Sequence, residues 1–353
     1  MTEFKASVEV AVNIVINVGI LFLMMIPGIL LKKCKLCSDG FGKGVSNLVL
    51  YIAQPALIFL AYLKAFDAEV LKNCLVVLVL SIVAHCIFLL ALLFYNKTTE
   101  DRRRMLRFAT IFSNAAFMGI PLITAVLGAE YTIYASIYNI TFNMFLWTLG
   151  VHICTANNVL DDGTVLKSEA SVKKALLHPV TIAAALGLAC FFLTKYIPIH
   201  EYINGDYFRD KPLGQVEDNI IYSNIIFKPL ESISNLVAPL SMLVLGLRIA
   251  DINFRGFFKD KHMYLFVLLR HFALPAIVLL AIWGLKLAGV PVTKEIFKVI
   301  ILMAAAPAAS SATMFAEKYD CDAAYVSKIV ALSTILSIVT MPILAMPIEF
   351  ICK

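Results

Sequence analysis

The stretch Phe112-Ser-Asn114-Ala-Ala-Phe-Met-Gly119-Ile-Pro121-Leu-Ile places a proline among small and polar residues inside an apolar segment. A second apolar segment contains Met303-Ala-Ala-Ala-Pro307-Ala-Ala-Ser310-Ser311-Ala-Thr313. Proline removes a backbone N–H and clashes with the carbonyl group four residues earlier. Each segment is therefore predicted to be a broken helix, with a half-helix that begins at the proline. The freed backbone groups cannot face lipid, so both breaks must be buried in protein or line a wet cavity.

The 353-residue chain around these stretches has the composition of a membrane protein. Hydrophobic residues make up 61% of it and charged residues 15%, whereas about a quarter of a soluble domain is charged. Apolar runs recur at about the 20-residue length that a helix needs to cross a bilayer. The sequence predicts an all-α integral membrane protein with ten transmembrane helices, at residues 7–32, 44–63, 70–95, 104–127, 130–155, 173–197, 224–250, 260–286, 294–316 and 322–350.

The distribution of basic residues predicts the orientation in the membrane. Positive charge favours cytoplasmic loops, and the sharpest basic cluster, at residues 102–107, falls in the loop between the third and fourth predicted spans. With an even number of spans, both termini are expected on the non-cytoplasmic side, in the plasma membrane rather than an internal one. The net charge of +6 lies in short loops, which is typical of contact with anionic headgroups and not of nucleic-acid binding.

Two parts of the chain align as an internal repeat, residues 54–67 with residues 238–251. The match places residues 1–155 over residues 173–353, with a short cytosolic linker at 156–172. Because each half holds five predicted spans, the second half is inverted relative to the first, as in many secondary transporters. The aligned pairs are Pro55 with Pro239, Lys64 with Arg248, Asp67 with Asp251 and, at a slightly larger offset, His85 with His271 and Pro121 with Pro307.

The two broken helices, in predicted spans 4 and 9, are expected to cross near the middle of the membrane. The N-terminus of a half-helix carries partial positive charge and free N–H groups, which suit a carboxylate. The alternative is that both prolines only kink packed helices. The candidate substrate-binding residues are Asn114, Gly119, Pro121, Asn139, Arg270, Pro307, Ser310 and Ser311.

Other polar residues inside the predicted spans each allow two interpretations. Arg270 either attracts the anion or holds a broken helix through its free carbonyl groups, because an intramembrane arginine needs a partner or a cavity. His85 either relays protons or hydrogen-bonds to a neighbouring helix. Asn139 and Lys328 either line the cavity or join helices. Arg248, near the end of its span, is expected to extend toward the headgroups.

The same residues resemble a known family. Residues 113–122 resemble the fourth-span motif of the auxin efflux carrier family, which includes plant auxin exporters and microbial organic-acid permeases, and residues 47–59, 239–246 and 306–337 resemble its second, seventh, and ninth and tenth spans. The resemblance implies a homodimer. It also implies that helices 1, 2, 6 and 7 form a scaffold, and that helices 3, 4, 5, 8, 9 and 10 form a transport domain that moves like an elevator.

Together these features predict a secondary transporter of a small organic anion, an auxin-like weak acid or a carboxylate, that works by alternating access. The alternative is a ligand sensor that keeps the transporter fold without transport. An enzyme is not expected, since the sequence has no Cys/His metal set, paired intramembrane carboxylates or serine–base arrangement. No metal or cofactor is predicted. The expected partners are the anion, membrane lipids and a second copy of the chain.

Overall fold

The computed structural model of the protein describes residue 12 and residues 15–38, 40–64, 66–155, 170–196, 227–250, 259–319 and 321–351. Both termini lie outside these residues. So do most of the predicted linker at 156–172 and the predicted pairing partner Asp251. The inverted relation between the two halves is not tested by the fold and remains a prediction.

Helices occupy the predicted positions along the described residues, which contain no β-strand. The main helices are α1 (Val15–Lys33), α2 (Phe41–Tyr62), α3 (Ala68–Leu93), α4a (Glu100–Ile111), α4b (Ala115–Leu127), α5 (132–155), α6 (Pro179–Leu193), α7 (Phe227–Ala250), α8 (Lys261–Leu287), α9a (Lys294–Ala305), α9b (Ser311–Lys318) and α10 (Ala323–Ile351). Six of them, α1, α2, α3, α7, α8 and α10, are long and apolar enough to cross a membrane, which confirms the all-helical membrane class.

Two helices are broken, but not where the prolines alone predict. The chain leaves helical geometry at residues 112–114 and at residues 306–310. Pro307 lies inside the second break, and α9b begins only at Ser311. Pro121 lies inside α4b, which begins at Ala115. The prediction that each half-helix begins at its proline is therefore wrong, whereas the pairing of Pro121 with Pro307 in the repeat remains a prediction.

A π-helical turn explains how α4b contains a proline without breaking. The turn Ala115–Gly119 comes just before Pro121. Because a π-turn uses hydrogen bonds that are one residue longer, it accommodates the missing N–H and the steric demand of the ring. The same arrangement recurs at Val49–Ala53 before Pro55 and at Leu269–Ala273 before Pro275.

Close backbone contact holds α1 against α7. At Gly28 on α1, an added Cβ would lie 2.2 Å from the carbonyl oxygen of Leu243, and at Gly246 on α7 it would lie 2.1 Å from the carbonyl oxygen of Met25. Each helix therefore needs a glycine where the other helix touches it, as is common between membrane helices. A second pair, α2 and α6, also packs together.

The remaining helices pack into another group. Helix α3 contacts α5, α8 and α9a, and α10 contacts both α9a and α9b as well as α4a. Both breaks therefore lie among α3, α5, α8 and α10 and not against lipid, which meets the requirement that freed backbone groups be enclosed.

Polar contacts tie together three helix ends of this group at one membrane face. Arg102 on α4a forms an ion pair of 3.1 Å with Asp322, just before α10. The hydroxyl of Tyr325 on α10 donates to Asp260, just before α8, at 2.7 Å. Burial alone would raise the pKa of Asp260, but hydrogen bonds from Tyr325 and His262 outweigh it and lower that pKa. These contacts fix the ends of α4a, α8 and α10 relative to one another.

The glycine contacts generate a stability prediction. Gly28→Ala or Gly246→Ala forces a methyl group into backbone atoms of the facing helix, so we expect each to lower the stability by about 1–3 kcal/mol. The measurement is the melting temperature of purified protein in detergent. Gly19→Ala, on the same helix as Gly28, is the matched control because its Cβ would meet no atom within 4 Å. Equal melting temperatures for Gly28→Ala and Gly19→Ala would contradict this packing.

Candidate functional site

The two breaks are hydrogen-bonded directly to each other. The backbone N–H of Asn114 donates to the carbonyl oxygen of Pro307 at 2.7 Å, and the N–H of Ala309 donates to the carbonyl oxygen of Phe112 at 2.8 Å. These two bonds form a short antiparallel β-bridge between the broken helices. Backbone groups that each break would leave unpaired are thereby satisfied by the other break.

Two of the predicted side chains meet beside this bridge. The hydroxyl of Ser310 donates to Oδ1 of Asn114 at 3.3 Å, and both residues are buried. The Nδ2 amide of Asn114 has no hydrogen-bond partner among the described residues. A buried amide donor without a partner costs about 1–3 kcal/mol. The arrangement therefore leaves one donor at the bridge for a ligand or a water molecule.

The other predicted residues on α4b and α5 are buried within the helix packing. At Gly119, an added Cβ would lie 2.7 Å from the sulfur of Met303, so this glycine lets α4b approach α9a. Pro121 is buried two residues further along. Asn139 is buried on α5, which contacts the π-turn after Asn114, and its Oδ1 has no hydrogen-bond partner among the described residues.

Arg270 connects both broken helices through their carbonyl groups. It lies in the π-turn of α8 and is 0% exposed. Its Nη1 donates to the carbonyl oxygen of Thr110 in the last turn of α4a at 3.1 Å. Its Nη2 donates to the carbonyl oxygen of Ala304 at 3.0 Å and to that of Ala306. In this structure the guanidinium therefore holds the ends of α4a and α9a.

His271, the next residue, is linked to the second break through Ser333 on α10. Its Nδ1 lies 3.0 Å from the hydroxyl of Thr340, and its Nε2 lies 2.8 Å from the hydroxyl of Ser333. The same Ser333 oxygen accepts the backbone N–H of Ala308 at 2.8 Å. The second break is thus held at a carbonyl group by Arg270 and at an N–H group through Ser333.

His85 makes a different contact from the one that the sequence suggests. Its Nδ1 lies 2.7 Å from the carbonyl oxygen of Ser81 on its own helix, rather than hydrogen-bonding to a neighbouring one. Its ring lies 5.0 Å from that of Phe145 and 5.1 Å from that of Tyr138, measured between centroids. Aromatic side chains of α5 therefore enclose this imidazole.

Two side chains at the breaks were not predicted from the sequence. Nε2 of Gln54 on α2 donates to the carbonyl oxygen of Ala116 at 3.0 Å. Arg248 on α7 donates to the carbonyl oxygen of Ser310 and does not extend toward the headgroups. A lone glutamine before a proline in an otherwise apolar span was the available signal for Gln54. Both contacts join a helix of the α1/α7 and α2/α6 pairs to a break.

A cavity of about 990 Å³ opens on the far side of Arg248, between the α1–α2 connection, α7, α9b and α10. None of the eight predicted site residues is part of its lining; Arg248 links it to Ser310. The acidic side chain on the described lining is Glu317. The basic residues on the lining are Lys32, Lys43, Arg248, Lys318 and Lys328.

Comparison with known families agrees with this architecture. A family model described as membrane transport protein matches residues 13–345. The chain belongs to this family. It is the family of the auxin efflux carriers, so the resemblance seen in the sequence is confirmed. No curated protein matches the chain. Members of the family are transporters and not enzymes, and this membrane transport protein is an integral, multi-pass membrane protein.

The hydrogen bonds of Ser333 allow the geometry of the second break in this transport protein to be tested. Ser333→Ala leaves the N–H of Ala308 and the ring of His271 without their partner, so we expect a loss of about 1–3 kcal/mol in stability. The melting temperature in detergent measures it. Thr334→Val is the control, because that buried hydroxyl bonds to the carbonyl oxygen of Val330 on its own helix. If Ser333→Ala melts no earlier than Thr334→Val, Ser333 does not hold the break.

Proposed function

We propose that this protein carries a small organic anion, an auxin-like weak acid or another carboxylate, across its membrane by alternating access. The observation that carries the proposal is the bridge between the breaks at residues 112–114 and 306–310. It brings the beginnings of α4b and α9b together, and both half-helices direct partial positive charge toward it. The unpartnered Nδ2 of Asn114 adds a donor suited to a carboxylate oxygen.

The charge of the neighbouring cavity supports an anion over a cation or a neutral ligand. Basic side chains outnumber the acidic Glu317 along its described lining. A cleft with one sign of charge raises the local concentration of the oppositely charged ligand. Because Arg248 lies on the lining and also contacts Ser310, an anion drawn into the cavity arrives next to the second break.

The packing supports a division into a scaffold and a moving part. In this proposal α1, α2, α6 and α7 form the scaffold of a homodimer. The helices α3, α4, α5, α8, α9 and α10 form the transport domain, which moves like an elevator. The two halves, residues 1–155 and 173–353, are related as an inverted repeat of five helices each. The nested glycines of α1 and α7 suit a rigid scaffold. Isolated side-chain hydrogen bonds, from Gln54, from Arg248 and between Ser136 and Tyr62, suit an interface that slides.

The cavity also supports an orientation. Its lining includes Lys32, Lys43 and Lys318, which lie at helix ends on the side that the positive-inside rule assigns to the cytoplasm. With that assignment, the conformation described here is open toward the cytoplasm. Both termini then lie on the non-cytoplasmic side, in the plasma membrane.

Transport measurements on Asn114→Ala and Ser310→Ala test the site. We expect uptake of the anion into liposomes to fall about 10- to 100-fold in each variant, because a hydrogen bond to a charged group contributes about 1.5–3 kcal/mol. The anion is first identified by thermal stabilisation with malate, malonate, indole-3-acetate and a bile acid. Thr124→Val, whose hydroxyl pairs with Thr132 away from the bridge, is the control. Unchanged uptake in both site variants would overturn the proposed site.

The same experiment separates a transporter from a sensor that keeps the fold. A sensor would be stabilised by an anion, and would lose that stabilisation in Asn114→Ala, but wild-type protein would give no uptake into liposomes. Uptake above that of empty liposomes by the wild-type protein therefore decides for transport. Binding without any uptake decides for the sensor.

The basic cavity generates a separate prediction. Lys328→Gln and Lys43→Gln are expected to weaken anion binding and to reduce its dependence on salt, because exposed charges are screened by ions. Isothermal titration at low and high salt measures both effects. Lys195→Gln is the control. Lys195 follows the end of α6, lies over the ring of Phe66 and is not on the cavity lining. Equal salt dependence in all variants would exclude the cavity from anion recruitment.

A further inference from the structure

We propose that Arg270 determines the sign of the charge that the site accepts, without contacting the ligand. The inference rests on the proposed function, because it concerns the same pair of breaks. Arg270 covers the negative ends of the two broken helices, and this leaves the positive ends to face the ligand. The consequence is a site selective for anions over neutral molecules of the same shape.

The electrostatics of the two breaks make such a residue necessary. Each broken helix brings two ends to the bridge: the C-terminus of its first half and the N-terminus of its second half. A helix C-terminus carries about half a negative charge and an N-terminus about half a positive charge. Four such ends close together nearly cancel, so the broken helices alone favour neither an anion nor a cation.

The hydrogen bonds of Arg270 remove this balance. Its carbonyl partners, Thr110, Ala304 and Ala306, all belong to the last turn of α4a or to the end of α9a and the residue after it. The guanidinium therefore places its positive charge on the two negative ends. The beginnings of α4b and α9b keep their positive ends without compensation.

The charge of Arg270 has no negative partner within the part of the chain that the structure describes. No ion pair involves it there, and its guanidinium carbon lies 4.7 Å from the centroid of the Phe88 ring instead. The titratable groups that face it are His85, Tyr138 and His271. A buried charge without a counter-charge is costly, so an anion at the bridge supplies the missing negative charge.

Arg270 acts through its field and not by direct contact. Its side chain is 0% exposed. Nη1 and Nη2 donate to the three carbonyl groups, and the buried Nε has no partner among the described residues. At an effective dielectric constant near 20, a unit charge about 10 Å from the ligand changes its affinity by roughly ten- to twenty-fold. Selectivity of that size is measurable with matched pairs of ligands.

The matched ligands differ in charge and not in shape. The test pairs indole-3-acetate with indole-3-acetamide, and malonate with malonamide. The affinity of each is to be measured by isothermal titration to the full-length protein in detergent. The ratio of the two affinities in a pair is the anion preference. A change that only loosens the fold weakens both members of a pair and leaves the ratio unchanged.

Phe88→Glu with Phe88→Gln is the central comparison. The glutamate places a carboxylate beside the guanidinium and neutralises Arg270, while the three carbonyl hydrogen bonds remain. We expect the anion preference to fall about ten- to twenty-fold in Phe88→Glu and to stay at the wild-type ratio in Phe88→Gln. An unchanged ratio in Phe88→Glu would overturn the inference.

Arg270→Gln with His271→Asn extends the test. Both substitutions disturb the same π-turn and a side chain that supports a break, Arg270 directly and His271 through Ser333, but only the first removes the permanent charge. We expect the anion preference to fall in Arg270→Gln and to persist in His271→Asn; an equal ratio in the two variants would contradict a charge effect. Where Arg270→Gln does not fold, the Phe88 pair decides alone.

The outcomes also distinguish this inference from the proposed function. If the wild-type protein binds an anion but binds its amide equally well, the inference fails while the binding site stands. If the wild-type protein binds neither indole-3-acetate nor malonate, and also binds neither malate nor a bile acid, the proposed function fails and the inference fails with it.

Discussion

Backbone groups inside a membrane must find partners within the protein, and the structure is organised around this requirement at two points. Breaking α4 and α9 frees N–H and carbonyl groups at the same depth. The protein pairs the breaks with each other through Asn114 and Ala309, and the carbonyl and N–H groups that remain are met by Arg270 and Ser333. The positions of α8 and α10 follow from this pairing, because each must bring its polar side chain to the breaks.

The same contacts divide the molecule into strong and weak interfaces. Two backbone hydrogen bonds join the breaks to each other, and three hydrogen bonds from the side chain of Arg270 join α8 to the ends of α4a and α9a. The contacts that α2 and α7 make with the beginning of α4b and with the second break include one side-chain hydrogen bond each, from Gln54 to Ala116 and from Arg248 to Ser310, beside the packing of α7 on the π-turn of α4b. A hydrogen bond contributes about 1 kcal/mol net, which is small enough to exchange during a conformational cycle. The backbone contacts of Gly28 and Gly246 allow no such exchange.

Hydropathy and the paired polar stretches were sufficient to predict the membrane class, the positions of the helices and the meeting of Asn114 with Ser310. They were not sufficient to locate the breaks, because a proline shows that a backbone hydrogen bond is lost but not whether the helix breaks there. At Pro121 the preceding π-turn accommodates the lost hydrogen bond, and the helix continues. The contacts of Gln54 and Arg248 also escaped prediction, since each depends on which helix lies opposite and no spacing along the chain contains that information.

The π-turn in α8 changes the direction in which side chains point along the helix. A π-turn contains one residue more than the α-helical turn that it replaces, so every side chain before it is rotated by about 100° relative to those after it. Arg270 and His271 lie within this turn, where Arg270 donates to carbonyl groups at the second break and His271 bonds to Ser333, which accepts the N–H of Ala308. Deletion of one residue from Leu269–Ala273 would leave the composition of α8 nearly intact. It would nevertheless rotate the side chains on one side of the turn by about 100° relative to those on the other. The number of residues in this one turn therefore matters more to the site than the identity of most residues around it.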